Sequence, residues 1–336
     1  MELLWQTLAF IVKIIVVVVA ILIVVATIAK SKSKSSDGQK IRVKRVNDVY
    51  EAVKDNLMAA MAASGTAYTQ TALKAEKQRK KQMAKSKKSQ TKPEKVCYLL
   101  SYKGNKSADG VDQLREEITA ILMVARPDDE VIIRLDSPGG VVNGYGLLAA
   151  QLERIKKAKL RLVVSVDKVA ASGGYLAACV ADEIIAAPFA LIGSIGVVAT
   201  IPNFHQLLKS NQVDIYEITA GEHKRSLSML GKPTKSGQKH VEQQLEAIHK
   251  QFKHMVKQYR PQIDIESTCT GDYWTAHEAI HLGLIDRLVT SDTYIQEKIH
   301  SGDVYQLETP KKQSLVAKLH GVVTQLLHTG LEGWVL

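Results

Sequence analysis

The chain has 336 residues, 46% hydrophobic and 24% charged, with a formal net charge of +11. Of its 45 Lys and Arg, 18 fall between Lys30 and Lys95 against 6 acidic residues, so that stretch holds a net +12 and the remainder is near neutral. The basic balance therefore describes a linker, which excludes a basic folded domain built for specific nucleic-acid binding. The three cysteines, Cys97, Cys179 and Cys269, have neither Cys-x-x-Cys nor Cys/His spacing. That excludes a disulfide framework and offers no metal site, and buried free thiols are expected at Cys97 and Cys179.

Ile14 to Ala29 is an uncharged run of sixteen residues rich in Val and Ile, and extending it back to Leu3 adds only Lys13. Such a run spans a bilayer core of roughly 30 Å, with Lys13 reaching back to the interface. Glu2 and the length of the run argue against a cleaved signal peptide. Residues 1–30 are thus expected to be a single transmembrane anchor. The bases that follow it, Lys30 to Arg45, place the C-terminal bulk on the cytoplasmic side by the positive-inside rule.

Residues 31–93 read as a basic linker, with a short amphipathic helix around Val49 to Met61. Residues 74–95 have no apolar face and read as a solvated helix or spacer, with contact to anionic lipid as the functional alternative. From 94 to 305 apolar segments alternate between strand and helix character. Val96–Tyr102, Glu130–Leu135, Leu160–Val166, Glu183–Ala186 and Val213–Thr219 read as strands. Leu114 to Ala125, Gly144 to Lys156 and a long segment with Val241, Leu245, Ile248, Phe252 and Tyr259 on one face read as helices. Thr275 and Glu278 form a capping box ahead of a helix that stops at Gly283. This alternation predicts an α/β domain with a largely parallel sheet. The apolar run Ile184 to Ile201 contains Pro188, Gly193 and Gly196 and reads as strand and turn, not a second span. Residues 306–336 carry a helical stripe from Leu315 to Leu327, suited to a partner, the membrane or the protein's own body.

Three features surround Val169-Ala170-Ala171-Ser172-Gly173-Gly174-Tyr175, where Ser172 lies at a small-residue turn ahead of a buried helix. Asp136-Ser137-Pro138-Gly139-Gly140 directly follows a strand, and two glycines there let backbone N–H groups face a ligand, as an oxyanion hole needs. No histidine occurs between Ser172 and Asn203, and none of the ten sits with a carboxylate in a triad pattern, although chain order alone does not exclude a spatial one. Lys224 is the alternative base. Its amine must be neutral to act, and lowering its pKa from about 10.4 towards 7 costs about 1.4 kcal/mol per unit, which burial supplies. Ser194, in Ile192-Gly193-Ser194-Ile195-Gly196, adds a second hydroxyl suited to holding that amine. Each segment alone also has a purely structural explanation: small-residue packing, a strand-to-turn signal, a solvated loop lysine, a buried serine bonded to backbone.

Together these segments resemble the membrane-anchored Ser-Lys proteases of the signal peptide peptidase A family, and look closest to its SohB branch. The residues that carry the resemblance are D-S-P-G-G (136–140), D-K-V-A-A-S-G-G-Y (167–175), A-P-F-A-L-I-G-S-I-G-V-V (187–198), T-A-G-E-H-K-R (219–225) and G-L-I-D (283–286). Ser194 follows Ser172 by 22 residues and Lys224 by 52. The resemblance implies a ClpP/crotonase-like α/β superhelix behind the anchor, with Ser172 as nucleophile and Lys224 as general base. It further implies that Ser194 orients the lysine, and that Gly173 with Gly139 or Gly140 holds the oxyanion. It implies polypeptide substrates, no metal or cofactor, and a homo-oligomer with shared active sites, since one copy of the motifs is present. It also points to the outer, periplasmic face of a bacterial inner membrane, against the positive-inside pattern. Val141, Val142, Ile192 and Ile195 are expected to form an apolar wall selecting small or aliphatic side chains. Two rival functions stand beside the protease: a crotonase-like acyl-thioester enzyme without a nucleophile, and a non-catalytic membrane scaffold.

Overall fold

Strands whose side chains are apolar on both faces are stable only between two covering layers, and the central strands here meet that condition. The computed structural model describes residues 41–63 and 95–310 apart from residue 222, with residues 71, 75 and 78 in between. The body described below is the unit Val43–Glu308. Its strands are β1 (Arg42–Arg45), β2 (Val96–Lys103), β3 (Glu130–Asp136), β4 (Arg161–Val166), β5 (Val169–Ala171), β6 (Glu183–Ala186), β7 (Leu191–Gly193), β8 (Tyr273–Thr275), β9 (Arg287–Leu288) and β10 (Asp303–Glu308). Its helices are α1 (Val46–Ala63), α2 (Val111–Val124), α3 (Val142–Lys157), α4 (Gly173–Ala178), α5 (His205–Ser210), α6 (Lys235–Tyr259), α7 (Ile265–Thr268), α8 (Ala276–Ala279) and α9 (Ser291–Ser301).

The larger sheet runs β1-β10-β2-β3-β4-β6-β9, and β10, β2, β3, β4, β6 and β9 pair in parallel. Register aligns Leu99 with Ile132 and Ile132 with Val163, so one apolar row crosses the sheet. That row joins Ile185, Val304, Tyr294 and Ile295 in one core cluster beneath α9. The neighbouring residues Leu100, Ile133 and Val164 point to the opposite face and are equally buried, with Ile118, Leu148 and Leu152 of α2 and α3. The largely parallel α/β sheet expected from the sequence is present.

The body begins earlier than the expected boundary at residue 94. Val46, the first residue of α1, belongs to the core cluster. Asn47 accepts from the Val304 N–H at 2.8 Å and donates to the Gly302 carbonyl at 3.0 Å. Arg45 holds Asp303 at 2.7 Å. The start of the expected linker is therefore part of the sheet edge and its cover.

Val213–Thr219 is not a strand: residues 211–220 are exposed and unpaired with any described strand. Its β-branched composition favours extension, but a strand without a neighbour gains no ladder and no buried face. The run Ile184 to Ile201 contributes β6 and β7 and then leaves the core, as strand and turn. No helix among the described residues is long and apolar enough to cross a membrane. The expected anchor at Ile14 to Ala29 and the expected stripe from Leu315 to Leu327 lie outside the described residues.

Candidate active site

The second sheet, β5-β7-β8, is small and sits at the C-terminal end of β3. It is tied there by an isolated bridge between Ser137 and Ala170, with Ser137 N–H donating to the Val169 carbonyl at 2.8 Å and Ala171 N–H to the Ser137 carbonyl at 3.0 Å. β5 and β7 are parallel, with Ala171 opposite Gly193. Ser172 and Ser194 therefore emerge side by side from the ends of neighbouring strands about 5 Å apart. Ser172 N–H donates to the Gly193 carbonyl at 2.8 Å, and Ser194 N–H donates to the Asp272 carbonyl at 2.6 Å.

Both serines carry positive φ. Ser172 sits at φ 51° and ψ −121°, and Ser194 at φ 51°. A non-glycine residue in that region of backbone space costs about 1–3 kcal/mol and persists only where its surroundings enforce it. Here the enforcement comes from the Gly193 carbonyl on one side and α4 on the other, whose Leu176 N–H donates to the Ser172 carbonyl at 3.0 Å. Ser172 is half-buried, so its hydroxyl is held in place yet reachable.

The glycine loop packs directly on this turn. A Cβ on Gly139 would meet the Ala171 carbonyl oxygen, the Gly173 nitrogen and the Ser172 Cβ, each at 2.8 Å, so only glycine fits. Gly139 is buried, with its N–H donating to Ser137 Oγ at 3.1 Å, whereas Gly140 is exposed. Among the described residues Gly140 N–H and Gly173 N–H have no hydrogen-bond partner. Behind the loop, Ser137 Oγ lies 2.5 Å from the Tyr145 hydroxyl, which donates to the Asn105 carbonyl at 2.9 Å. The sequence marks Ser137 only as part of its motif and does not mark Tyr145. Their signal is present: a serine directly after a buried strand, and a tyrosine one turn into the following helix.

Lys224 is placed differently. It lies in an exposed turn, with its N–H donating to the Gly221 carbonyl at 3.1 Å, and no described contact joins it to Ser172 or Ser194. The histidine that approaches this region is His249 of α6, whose Nε2 is 3.1 Å from the Ile195 carbonyl. A carbonyl only accepts, so that nitrogen carries its proton and is not a free base. Of the expected apolar wall, Val141 and Val142 are about half exposed, while Ile192 and Ile195 are wholly buried and back the site from within. All three cysteines are buried and free. Burial pushes the Cys179 thiol up to about 12, and those of Cys97 and Cys269 upward as well, so none is a competing nucleophile at neutral pH. A cavity of about 750 Å³ opens at the other end of the parallel strands, near Val96, Glu130, Arg161 and Asp182, away from both serines. No cluster among the described residues has the His, Cys, Asp and Glu content to hold a metal ion.

Comparison with known proteins points to one peptidase family. Residues 2–152 match the peptidase family S49 N-terminal region and residues 154–304 match peptidase family S49. The "Probable protease SohB" of Haemophilus influenzae is 51% identical over 225 residues, covering 67% of this chain and 64% of that relative. The aligned part thus falls just short of two thirds of that relative's length. The "Probable protease SohB" of Buchnera aphidicola subsp. Acyrthosiphon pisum is 45% identical over 233 residues, covering 69% of each chain. Among solved structures, a lysine-to-alanine mutant of the membrane-bound stomatin-specific protease 1510-N with a substrate peptide matches 70% of this chain and all of that one, at 18% identity and a TM-score of 0.42.

Proposed function

The chain belongs to peptidase family S49, and on that premise we propose that it is a membrane-anchored serine endopeptidase working through Ser172 and Lys224 on a ClpP/crotonase-like scaffold. The observation that carries this reading is the pairing of Ser172 and Ser194 at adjacent strand ends, both at φ 51°, beneath a glycine loop that touches Ser172. Strain of that kind at a reachable hydroxyl supports a positioned nucleophile.

In the proposed reaction the neutral amine of Lys224 takes the Ser172 Oγ proton as Oγ attacks the substrate carbonyl carbon. The carbonyl π pair moves to oxygen, which the N–H groups of Gly173 and of the glycine loop receive. The tetrahedral intermediate collapses, the C–N bond breaks, and the lysine ammonium returns its proton to the leaving amine. Water, deprotonated by the same amine, then attacks the acyl carbon, the C–Oγ bond breaks, and the lysine ammonium passes the proton to Ser172 Oγ, which restores both residues. Ser194 holds the amine in line. Lys224 is exposed within one subunit, so the base comes from a neighbouring copy that buries it. No metal or cofactor takes part. Substrates are polypeptides at the membrane, such as signal-peptide remnants or misfolded chains, with small or aliphatic side chains beside Val141 and Val142. Ile14 to Ala29 provides the anchor in a bacterial inner membrane.

The test is adduct formation by a serine-reactive peptidyl phosphonate on the detergent-purified protein. Labelling is expected at Ser172, lost in Ser172→Ala, with Lys224→Ala losing turnover while keeping its oligomeric state. Labelling that persists in Ser172→Ala removes the mechanism, and absence of any serine adduct favours the acyl-thioester or scaffold reading.

A further inference from the structure

The hydrogen bonds behind the glycine loop run in one direction. Tyr145 Oη donates its single proton to the Asn105 carbonyl, 2.9 Å away. It must therefore accept from Ser137 Oγ, at 2.5 Å. Ser137 Oγ, its proton committed, accepts the Gly139 N–H at 3.1 Å. The relay from Gly139 through Ser137 and Tyr145 to Asn105 thus uses every hydroxyl proton once. Ser137 and Tyr145 are both fully buried, where polar groups are fixed by the bonds they make.

The surroundings leave this arrangement no freedom. A Cβ on Gly104 would collide with Ser137 Oγ and Tyr145 Oη, one on Gly174 would meet the Ser137 carbonyl oxygen at 2.5 Å, and one on Gly173 would meet the Tyr145 Cβ at 2.6 Å. The 104–106 loop also grips the glycine loop through its backbone: Gly104 N–H donates to the Asp136 carbonyl and Val141 N–H to the Lys106 carbonyl, both at 2.8 Å.

We propose that Ser137 and Tyr145 are positioning residues for the oxyanion hole. By capturing the Gly139 N–H they turn it inward, and the exposed Gly140 N–H becomes the donor that works opposite Gly173 N–H. Neither side chain touches substrate. The inference rests on Ser172 being the nucleophile.

The experiment compares wild type, Ser137→Ala, Tyr145→Phe and the double variant, with active sites counted by phosphonate labelling of Ser172 so that misfolded material does not enter the rates. A tilted oxyanion donor weakens the transition state more than the ground state, and outright loss of such a donor costs on the order of 10²–10³ in kcat. Ser137→Ala is therefore expected to lower kcat by about 10- to 100-fold with KM within about two-fold. Inhibition by a peptide aldehyde, whose hemiacetal oxygen occupies the same hole, weakens by the same factor. Tyr145→Phe keeps the ring packed on Gly173 and gives a smaller loss, and the double variant is no worse than Ser137→Ala because the two act in series. A serine adduct in wild type with unchanged kcat and aldehyde affinity in both single variants overturns the inference alone, as does a loss confined to KM. Absence of the adduct in wild type overturns the protease reading and this inference with it.

Discussion

Ser172 holds a backbone conformation that its own Cβ opposes, at φ 51° and ψ −121°. Glycine has no such conflict. Ser172→Gly and Ser172→Ala both remove the hydroxyl, but only alanine keeps the Cβ. The glycine variant is therefore expected to be more stable than the alanine variant by about 1 kcal/mol, reversing the usual order of the two residues. Urea denaturation at fixed protein concentration measures this, and an alanine variant equal to or more stable than glycine would show that the turn is unstrained. At this scale the sequence marked Ser172, Ser194 and the glycines because small residues between apolar runs are locally distinctive. It did not mark Tyr145, since its partner carbonyl at Asn105 is 40 residues away and a helical tyrosine reads as core. Ile192 and Ile195 were legible as apolar but not as wholly buried, because alternation along a three-residue strand does not say which side the substrate takes.

Among the elements, β2, β3, β4 and β6 were legible at nearly their observed limits, as strands buried on both faces read as uninterrupted apolar runs. The capping box at Thr275 and Glu278 is also formed, with Thr275 N–H donating to Glu278 at 3.0 Å. The docking of α1 was not legible. Its anchor is Asn47, 5% exposed, whose side chain bonds the backbone at Gly302 and Val304. A polar residue beside Arg45 and Asp48 looks solvated until its partners, over 250 residues away, are in place. Asn47→Ala would leave a buried N–H and C=O unpaired, costing about 1–3 kcal/mol of stability. Val53→Ala on the exposed side of α1 should change it by under about 0.5 kcal/mol. Equal effects in urea denaturation would mean that α1 is not part of the cooperative body.

At the scale of the whole molecule, the segment between β7 and α6 is the part that one subunit does not explain. Val198, Tyr216 and Ile218 are 86%, 86% and 96% exposed, and Phe204, Leu207, Val213 and Ile215 are about half exposed. Apolar surface of that extent on one segment suits a contact with another chain, as the proposed shared active site requires. The same segment carries Lys224, the expected base, and includes Val213–Thr219, the expected strand that is not formed. In the proposed homo-oligomer, a head-to-tail ring in which this segment lies on the next subunit would bring Lys224 to a neighbour's Ser172 and bury it there. The prediction is subunit complementation. Ser172→Ala and Lys224→Ala are each inactive alone. Dissociated, mixed in equal amounts and reassembled, they should recover about a quarter of wild-type activity, since random assembly pairs an intact serine with an intact neighbouring lysine at about one site in four. Ile218→Asp, placing a charge in the proposed contact, should lower both the oligomeric mass and the activity. If the mixture stays inactive while the wild-type protein, taken through the same dissociation and reassembly, regains its activity, serine and lysine belong to one subunit, and the exposed segment must fold back on its own body.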